Sequence, residues 1–433
     1  MSTPHPWARR GYVAALYLLS PLIWQRVWRE QLPGRARRER LGVIPPAGQG
    51  ERTLWLHCAS VGEVQAARPL IEALNGRWPD HRLVITTMTV TGAERALALA
   101  AGLADSAPAG EVSHHFVPLD FPGAARRFLA RLRPSLAIFF ETELWPNLMA
   151  ACDRADVPVA VVNGRLSFRA WRGYRRVRPL MEEALSHVAW LAAKSTADAR
   201  RFIDLGMARE CTTVVGSLKF DIRHEDGERE VSERLRTRFG TRPVWVAGST
   251  HPGEDEQVLA AHVRLRERLP GALLVLVPRH PRRFDAVAEL CRQAGLTTAR
   301  RSRNEWPGDD TAVYLGDTMG ELLAFYGAAD LAFVGGSLVP IGGHNLLEPA
   351  VAGTPVLTGP ALSNFEDVAE VMRGADALVD VDDAEMLAGE LLRLFSDPEA
   401  TCHLTEAGRG VVEANRGALR RTLEGLERLL QAE

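Results

Sequence analysis

LAFVGGSLVPIGGHNLLEPAVAGTPVLTGP, residues 331–360, contains the fold in miniature. A short apolar run, LAFV, stops at a glycine pair, and a polar loop punctuated by glycine follows. NLLEPAVA then has helical spacing, and PVLTGP is a second apolar run ending in Gly and Pro. Strand, loop, helix and strand in this order make a βαβ unit, whose two strands lie parallel in one sheet. The runs are continuously apolar rather than alternating, as in strands buried on both faces.

Outward from this unit the same grammar repeats. Upstream lie the strand-like runs VWVAGST (244–250), ALLVLVPRH (272–280) and AVYLGD (312–317). An earlier series comprises TLWLHCA (53–59), RLVITTMT (82–89), SLAIFFETE (135–143), PVAVVNGRL (158–166), WLAAKS (190–195) and TTVVGS (212–217), with helical stretches between. Residues 222–243 are polar, highly charged and poor in large apolar side chains. The alternation therefore predicts an α/β chain of two Rossmann-like domains, 41–222 and 244–405, facing a cleft and connected by a linker at 223–243. A C-terminal helical segment, 406–433, is placed to return to the first domain. Two such halves form the GT-B architecture of sugar transferases, although alternation alone equally fits a two-domain binder or an epimerase.

A chain of 433 residues exceeds the size of a single core, which agrees with two domains. Its formal net charge of −2 gives no reason to expect nucleic acid as a partner. The five cysteines form no CxxC or metal-ligand pattern, which suits idle thiols in a reducing compartment. No metal or cofactor is predicted.

The amino terminus is distinctive. GYVAALYLLSPLIW (11–24) is apolar, preceded by Arg9 and Arg10 and followed by Arg26, Arg29, Arg35, Arg37, Arg38 and Arg40. Trp7, Trp24 and Trp28 stand where indoles favour lipid headgroups. The run is short for a span, and no small-residue cleavage site follows it. Residues 1–40 are therefore read as an anchor lying in or partly inserted into the membrane, with a short span or a buried helix as alternatives.

Candidate chemistry sits at strand ends. In the second half, GGSLVPIGG brings backbone N–H groups close enough for a phosphate, and His344, Asn345 and Glu348 open the next helix. A carboxylate one turn into that helix suits ribose hydroxyls. Arg279 follows a buried strand in PRHPRRF (278–284) and can meet a phosphate or stack on a base. GDTMGEL (316–322) offers backbone groups for a base edge. In the first half, Ser60-Val61-Gly62-Glu63 joins strand to helix, placing Glu63 as a base or as a helix cap. Glu141 and Glu143 share another strand end, and Lys219 in GSLKFD follows the last strand. RLSFRAWRGYRRVR (165–178) mixes arginines with Phe168, Trp171 and Tyr174, a composition that fits a phosphorylated lipid headgroup beside an anchor.

SVGE (60–63), TTMTVTG (86–92), ETELWPN (141–147), NGRLS (163–167), GSLKFDI (216–222), PRHPRRF, GDTMGEL and FVGGSLVPIGGHNLLEP (333–349), in this order, resemble the bacterial 3-deoxy-D-manno-octulosonic acid (Kdo) transferase family. The resemblance runs over nearly the whole chain after the anchor. It implies a GT-B fold and inverting transfer of Kdo from a CMP-Kdo donor to a lipid A precursor acceptor, the tetraacyldisaccharide lipid IVA. It further implies an enzyme of lipopolysaccharide core biosynthesis on the cytoplasmic face of the inner membrane, in contact with inner-membrane lipids. Glu63 would be the general base, with Glu141 and Lys219 stabilising the transition state. Pro278, Arg279, Met319, Gly320, Glu321, Asn345, Leu346, Leu347 and Glu348 would hold CMP. The rivals are a GT-B transferase with another nucleotide sugar and lipid acceptor, and a noncatalytic nucleotide- or lipid-binding protein.

Overall fold

A computed structural model describes residues 6–29, 34–104, 110–222, 224 and 226–431. The chain divides into two compact units, Met1–Asp221 with Arg416–Glu433, and Ile222–Asn415.

The first unit holds seven parallel strands, β1 (Arg52–His57), β2 (His81–Thr87), β3 (Val112–Phe116), β4 (Leu136–Phe140), β5 (Val159–Gly164), β6 (Trp190–Ala193) and β7 (Thr212–Val214). Their order is β3-β2-β1-β4-β5-β6-β7. Helices cover both faces, so one core forms around Trp55, Phe128 and Phe139 and another around Leu56, Ile85 and Phe140. Alternate residues of β1 feed the two cores, as strand geometry requires.

The second unit repeats the design with β8 (Val244–Thr250), β9 (Leu273–Pro278), β10 (Thr298–Arg300), β11 (Val313–Leu315), β12 (Leu331–Val334), β13 (Val356–Thr358) and β14 (Leu378–Asp380). All are parallel, ordered β10-β11-β9-β8-β12-β13-β14. The chain reverses its direction of strand addition between β1 and β4, and again between β8 and β12. Open α/β sheets bind ligands at the carboxyl ends flanking such a switch point.

Two boundaries differ from the sequence reading. The stretch expected to be a linker, 223–243, is mostly helix Asp226–Phe239, whose Leu235 and Phe239 are buried in the core of the second unit. Its apolar residues are few but fall on one face, which suffices for docking. The C-terminal segment also splits. Helix Pro398–Asn415 belongs to the second unit and helix Ala418–Gln431 to the first. Gly417 turns the chain between them at φ 91°, and its N–H donates to Asp221 Oδ1 at 2.7 Å. Leu419 N–H donates to the other Asp221 oxygen at 2.6 Å, so the start of the last helix is tied to the end of the first unit's sheet region.

The amino-terminal helix runs Pro6–Arg29, and no helix among the described residues is long and apolar enough to cross a membrane. It docks on the first unit through buried Ala8 and Val27, an Arg9 to Glu183 ion pair at 2.6 Å, and Tyr17 packed at 5.3 Å from Phe121. Trp7, Leu18, Leu19 and Leu22 remain exposed. Besides Arg9, two more of the flanking arginines serve the fold. Arg40 is buried, donating to Val117 O at 3.0 Å, and Arg35 donates to His114 O at 3.1 Å.

Candidate functional site

At the first switch point β1 ends in His57 and is followed by Cys58, both buried, and Ser60 precedes the helix Val61–Ala66. Ser60 is its N-cap, accepting from Glu63 N–H at 3.4 Å, while Glu63 Oε2 accepts from Ala59 N–H at 2.7 Å. Like a capping box, but with the carboxylate reaching one residue further back, this satisfies the N–H groups of Glu63 and Ala59. The cap and the candidate base are therefore one arrangement. It fixes the Glu63 side chain over the sheet edge.

The neighbouring strand β4 is followed directly by Glu141, which has a left-handed φ of 62°. Such a conformation is costly for a residue with a Cβ, and here the sharp exit turns the ETELWPN segment across the strand end. Glu143 Oε2 accepts from Trp145 Nε1 at 2.8 Å and lies 3.6 Å from His57 Nε2. Three carboxyls thus gather around Cys58, whose thiol is pushed well up by burial and then by Glu63, Glu141 and Glu143.

Electrostatics separates these acids. Burial, then the charges of Glu143 and Glu141, push the Glu63 carboxyl up to about 8, against the Ala59 N–H and the Ser60 hydroxyl. Burial also raises Glu143, but His57 and Trp145 outweigh it and hold Glu143 below the usual carboxylate range. A carboxyl with raised proton affinity beside an ionised one is the pairing expected of acid–base chemistry.

Lys219 follows β7 at the far edge, in the single turn Leu218–Phe220. The segment folds back, because Leu218 N–H reaches Asn163 Oδ1 at 3.4 Å at the end of β5. Lys219 is half-buried there. The basic-aromatic stretch forms helix Phe168–Tyr174 and a short turn Arg175–Val177, with Phe168, Arg169, Arg172, Arg175 and Arg176 exposed. Trp171 Nε1 donates to Asp204 at 2.9 Å, and Arg175 stacks over its ring at 4.8 Å.

In the second unit the glycine loop corrects the sequence reading. The N–H groups of Gly336, Ser337 and Leu338, expected for phosphate, donate to the carboxylate of Glu254 at 2.7, 3.0 and 3.0 Å. His251 N–H adds a fourth bond at 3.2 Å. Glu254 is fully buried, and a Cβ on Gly335 would lie 2.8 Å from its oxygen. An internal anion fills this nest.

The other residues expected at CMP sit around the same sheet edge. Pro278 closes β9 and is buried, and Arg279 next to it is exposed. Asn345 Nδ2 donates to Glu348 Oε1 at 3.3 Å, and burial pushes Glu348 up to about 7, opposed by Asn345 and the Arg279 charge. Leu346 and Leu347 are fully buried, and Leu347 N–H donates to Asn345 Oδ1 at 3.2 Å. Met319 is exposed, and Gly320 at φ 85° has open space where a Cβ would be. Glu321 is held by Arg301 Nη2 at 2.7 Å and Thr318 Oγ1 at 2.5 Å, so it braces this turn. Three imidazoles the sequence reading did not combine complete the edge. His251 Nε2 lies 2.8 Å from His344 Nε2 with the rings stacked, and His280 meets His251 edge-on at 5.4 Å.

Two doubly wound parallel sheets, with paired acids at one switch point and basic groups at the other, make up the GT-B fold. A solved glycosyltransferase from Rickettsia africae matches 89% of this chain and 100% of its own at TM-score 0.55 and 12% identity. A UDP-N-acetylglucosamine 2-epimerase matches 88% and 96% at TM-score 0.54 and 12% identity, so fold alone does not select transfer. Sequence does. The family model for 3-deoxy-D-manno-octulosonic-acid transferase (kdotransferase) matches residues 35–222. The 3-deoxy-D-manno-octulosonic acid transferase of Haemophilus influenzae is 39% identical over 97% of this chain and 98% of that protein. That of Bordetella pertussis is 38% identical over 97% and 99%. The chain belongs to the 3-deoxy-D-manno-octulosonic acid transferase family.

Proposed function

We propose that the protein transfers Kdo from CMP-Kdo to the lipid A precursor lipid IVA, with inversion, as a step of lipopolysaccharide core assembly. The observation that carries this reading is Glu63, a capped carboxyl of raised proton affinity at the first switch point of a chain nearly collinear with Kdo transferases. Glu63 takes the proton of the acceptor hydroxyl as that oxygen attacks the anomeric carbon. The bond from the anomeric carbon to the CMP phosphate breaks, and its electron pair leaves with CMP. Glu141 and Lys219 stabilise the transition state. Lys219 supplies positive charge, and the left-handed turn at Glu141 sets the direction of its carboxylate.

CMP belongs to the second unit in this reading. Glu348 and Asn345 receive ribose hydroxyls, and the Met319–Gly320–Glu321 turn offers its backbone to the base. Pro278 and Arg279 flank the phosphate. With the glycine nest filled by Glu254, positive charge for the phosphate comes from side chains, Arg279 first.

The exposed apolar residues of helix Pro6–Arg29 and the arginines of Phe168–Tyr174 support docking of the first unit on the cytoplasmic face of the inner membrane. Helix Arg178–Leu185 links them, since it continues from the basic turn and carries Glu183, the partner of Arg9. An interfacial helix of this kind needs no span.

The test is CMP release in detergent with a donor panel. CMP-Kdo with lipid IVA gives CMP and a lipid product, whereas UDP-sugars give neither. Turnover with a UDP-sugar and none with CMP-Kdo would overturn the donor, and binding without release would overturn catalysis.

A further inference from the structure

Beside Glu63 stands a carboxylate with its own buried support. His57 is fully buried, with Nδ1 3.0 Å from Thr86 Oγ1 and 3.2 Å from Thr86 O. Thr86 Oγ1 accepts from Trp55 Nε1 at 2.8 Å, which leaves its hydroxyl hydrogen to donate onward. On the other side of the ring, His57 Nε2 faces Glu143 Oε2 at 3.6 Å. Trp145 Nε1 donates to the same oxygen at 2.8 Å. A chain of polar groups, Trp55, Thr86, His57 and Glu143, thus runs from inside the sheet to the site, and Trp145 closes it.

A structural ion pair does not require this position. Glu143 is two residues past Glu141, on the exit of β4, and its charge acts on both Glu63 and Cys58 at the end of β1. Glu63 holds the Ala59 N–H at 2.7 Å, two residues past His57, and Glu143 meets His57 at 3.6 Å from the exit of the adjacent β4, so the charges of Glu143 and then Glu141 bear on Glu63 together with Ser60 of its own turn. The groups facing Glu143 are His57 from β1, Trp145, and Tyr174 from the basic helix.

We propose that Glu143 is a positioning residue for proton transfer: clamped by His57 and Trp145, it acts through Glu63 as a fixed negative charge that makes Glu63 a stronger base. The proposal rests on the reading of Glu63 as the base. As the acceptor hydroxyl loses its proton to Glu63, the adjacent charge favours the protonated product. The clamp keeps Glu143 from taking that proton itself, because His57 and Trp145 stabilise its ionised form.

The test combines the pH dependence of kcat/KM with a ¹³C titration of the Glu63 carboxyl by NMR in the full chain. Glu143→Gln keeps an acceptor for Trp145 but removes the charge. It is expected to move both the Glu63 titration and the acid-side activity limb down by about one pH unit, roughly tenfold in proton affinity. Glu143→Asp keeps the charge and leaves both within a few tenths of wild type. A folded Glu143→Gln protein whose Glu63 titrates where the wild type does overturns the proposal. If Glu143→Gln does not fold, the Asp variant decides alone, and a Glu63 titration displaced downward by a full unit there overturns it. Loss of activity in Glu63→Gln keeps the base reading separate. If that variant turns over normally, the base is wrong whatever Glu143 does.

Discussion

Glu254 Oε2 accepts the backbone N–H of Gly336 at 2.7 Å, so a glutamate of the second unit occupies the nest that its glycine loop forms. Four N–H groups converge on this one buried carboxylate. Glu254→Ala would orphan them in the core and is expected to cost about 3 kcal/mol or more, while Glu254→Gln retains one good acceptor and costs less. Urea unfolding of the two variants checks the order. Equal stability of Glu254→Ala and wild type would show that the nest is satisfied by something else.

The raised proton affinity of Glu63 carries a stability signature. Its carboxyl is ordinary when unfolded, near 4.5, and is pushed up to about 8 when folded. The folded state therefore binds the extra proton, and this contribution is fully present below pH 4.5 and lost as pH rises through about 8. Glu63→Gln cannot lose it. The variant's melting temperature relative to wild type should rise between pH 5 and pH 8.5, and a difference that stays flat over this range would contradict the shift.

Trp190 senses the returning C-terminal helix. A Cβ on Gly425 would come within 2.2 Å of the Trp190 ring, with other ring atoms at 2.4 and 2.6 Å. Gly425→Ala is expected to overpack this contact and destabilise the first unit by about 1–3 kcal/mol. Tryptophan fluorescence follows it during denaturation. The second unit should retain CMP-dependent protection in the variant.

Arg172 and Arg176 are exposed on the basic stretch. Each arginine near an anionic surface contributes about 1 kcal/mol, so replacing both by alanine should weaken binding to phosphatidylglycerol vesicles about thirtyfold. Vesicle co-sedimentation at two salt concentrations measures this. Unchanged binding would move the docking surface elsewhere.

The central strands were legible because burial on both faces writes continuous apolar runs such as LWLH and LLVLVP. Three strands escaped, β3, β10 and β14, and each lies at a sheet edge. VSHHF, TAR and LVD are short or polar there because one flank is unpaired and partly wet. The helix at Asp226–Phe239 was hidden by its charge, since only one narrow face is buried. At the site, SVGE and ETELWPN marked their strand ends. The pairing of His57 with Glu143 is a contact between adjacent strands far apart in sequence, and spacing cannot show it. The glycine loop misled for a related reason. A nest announces an anion without saying whether the anion is a ligand or the chain's own Glu254.

The most direct measurement is mass spectrometry of lipid IVA after incubation with CMP-Kdo and either wild-type protein or folded Glu63→Gln. The account predicts Kdo-sized additions with wild type, and loss of at least a hundredfold in rate with the variant, as removal of a general base implies. Unmodified lipid from folded, CMP-binding wild-type protein, or equal product from both proteins, would contradict it.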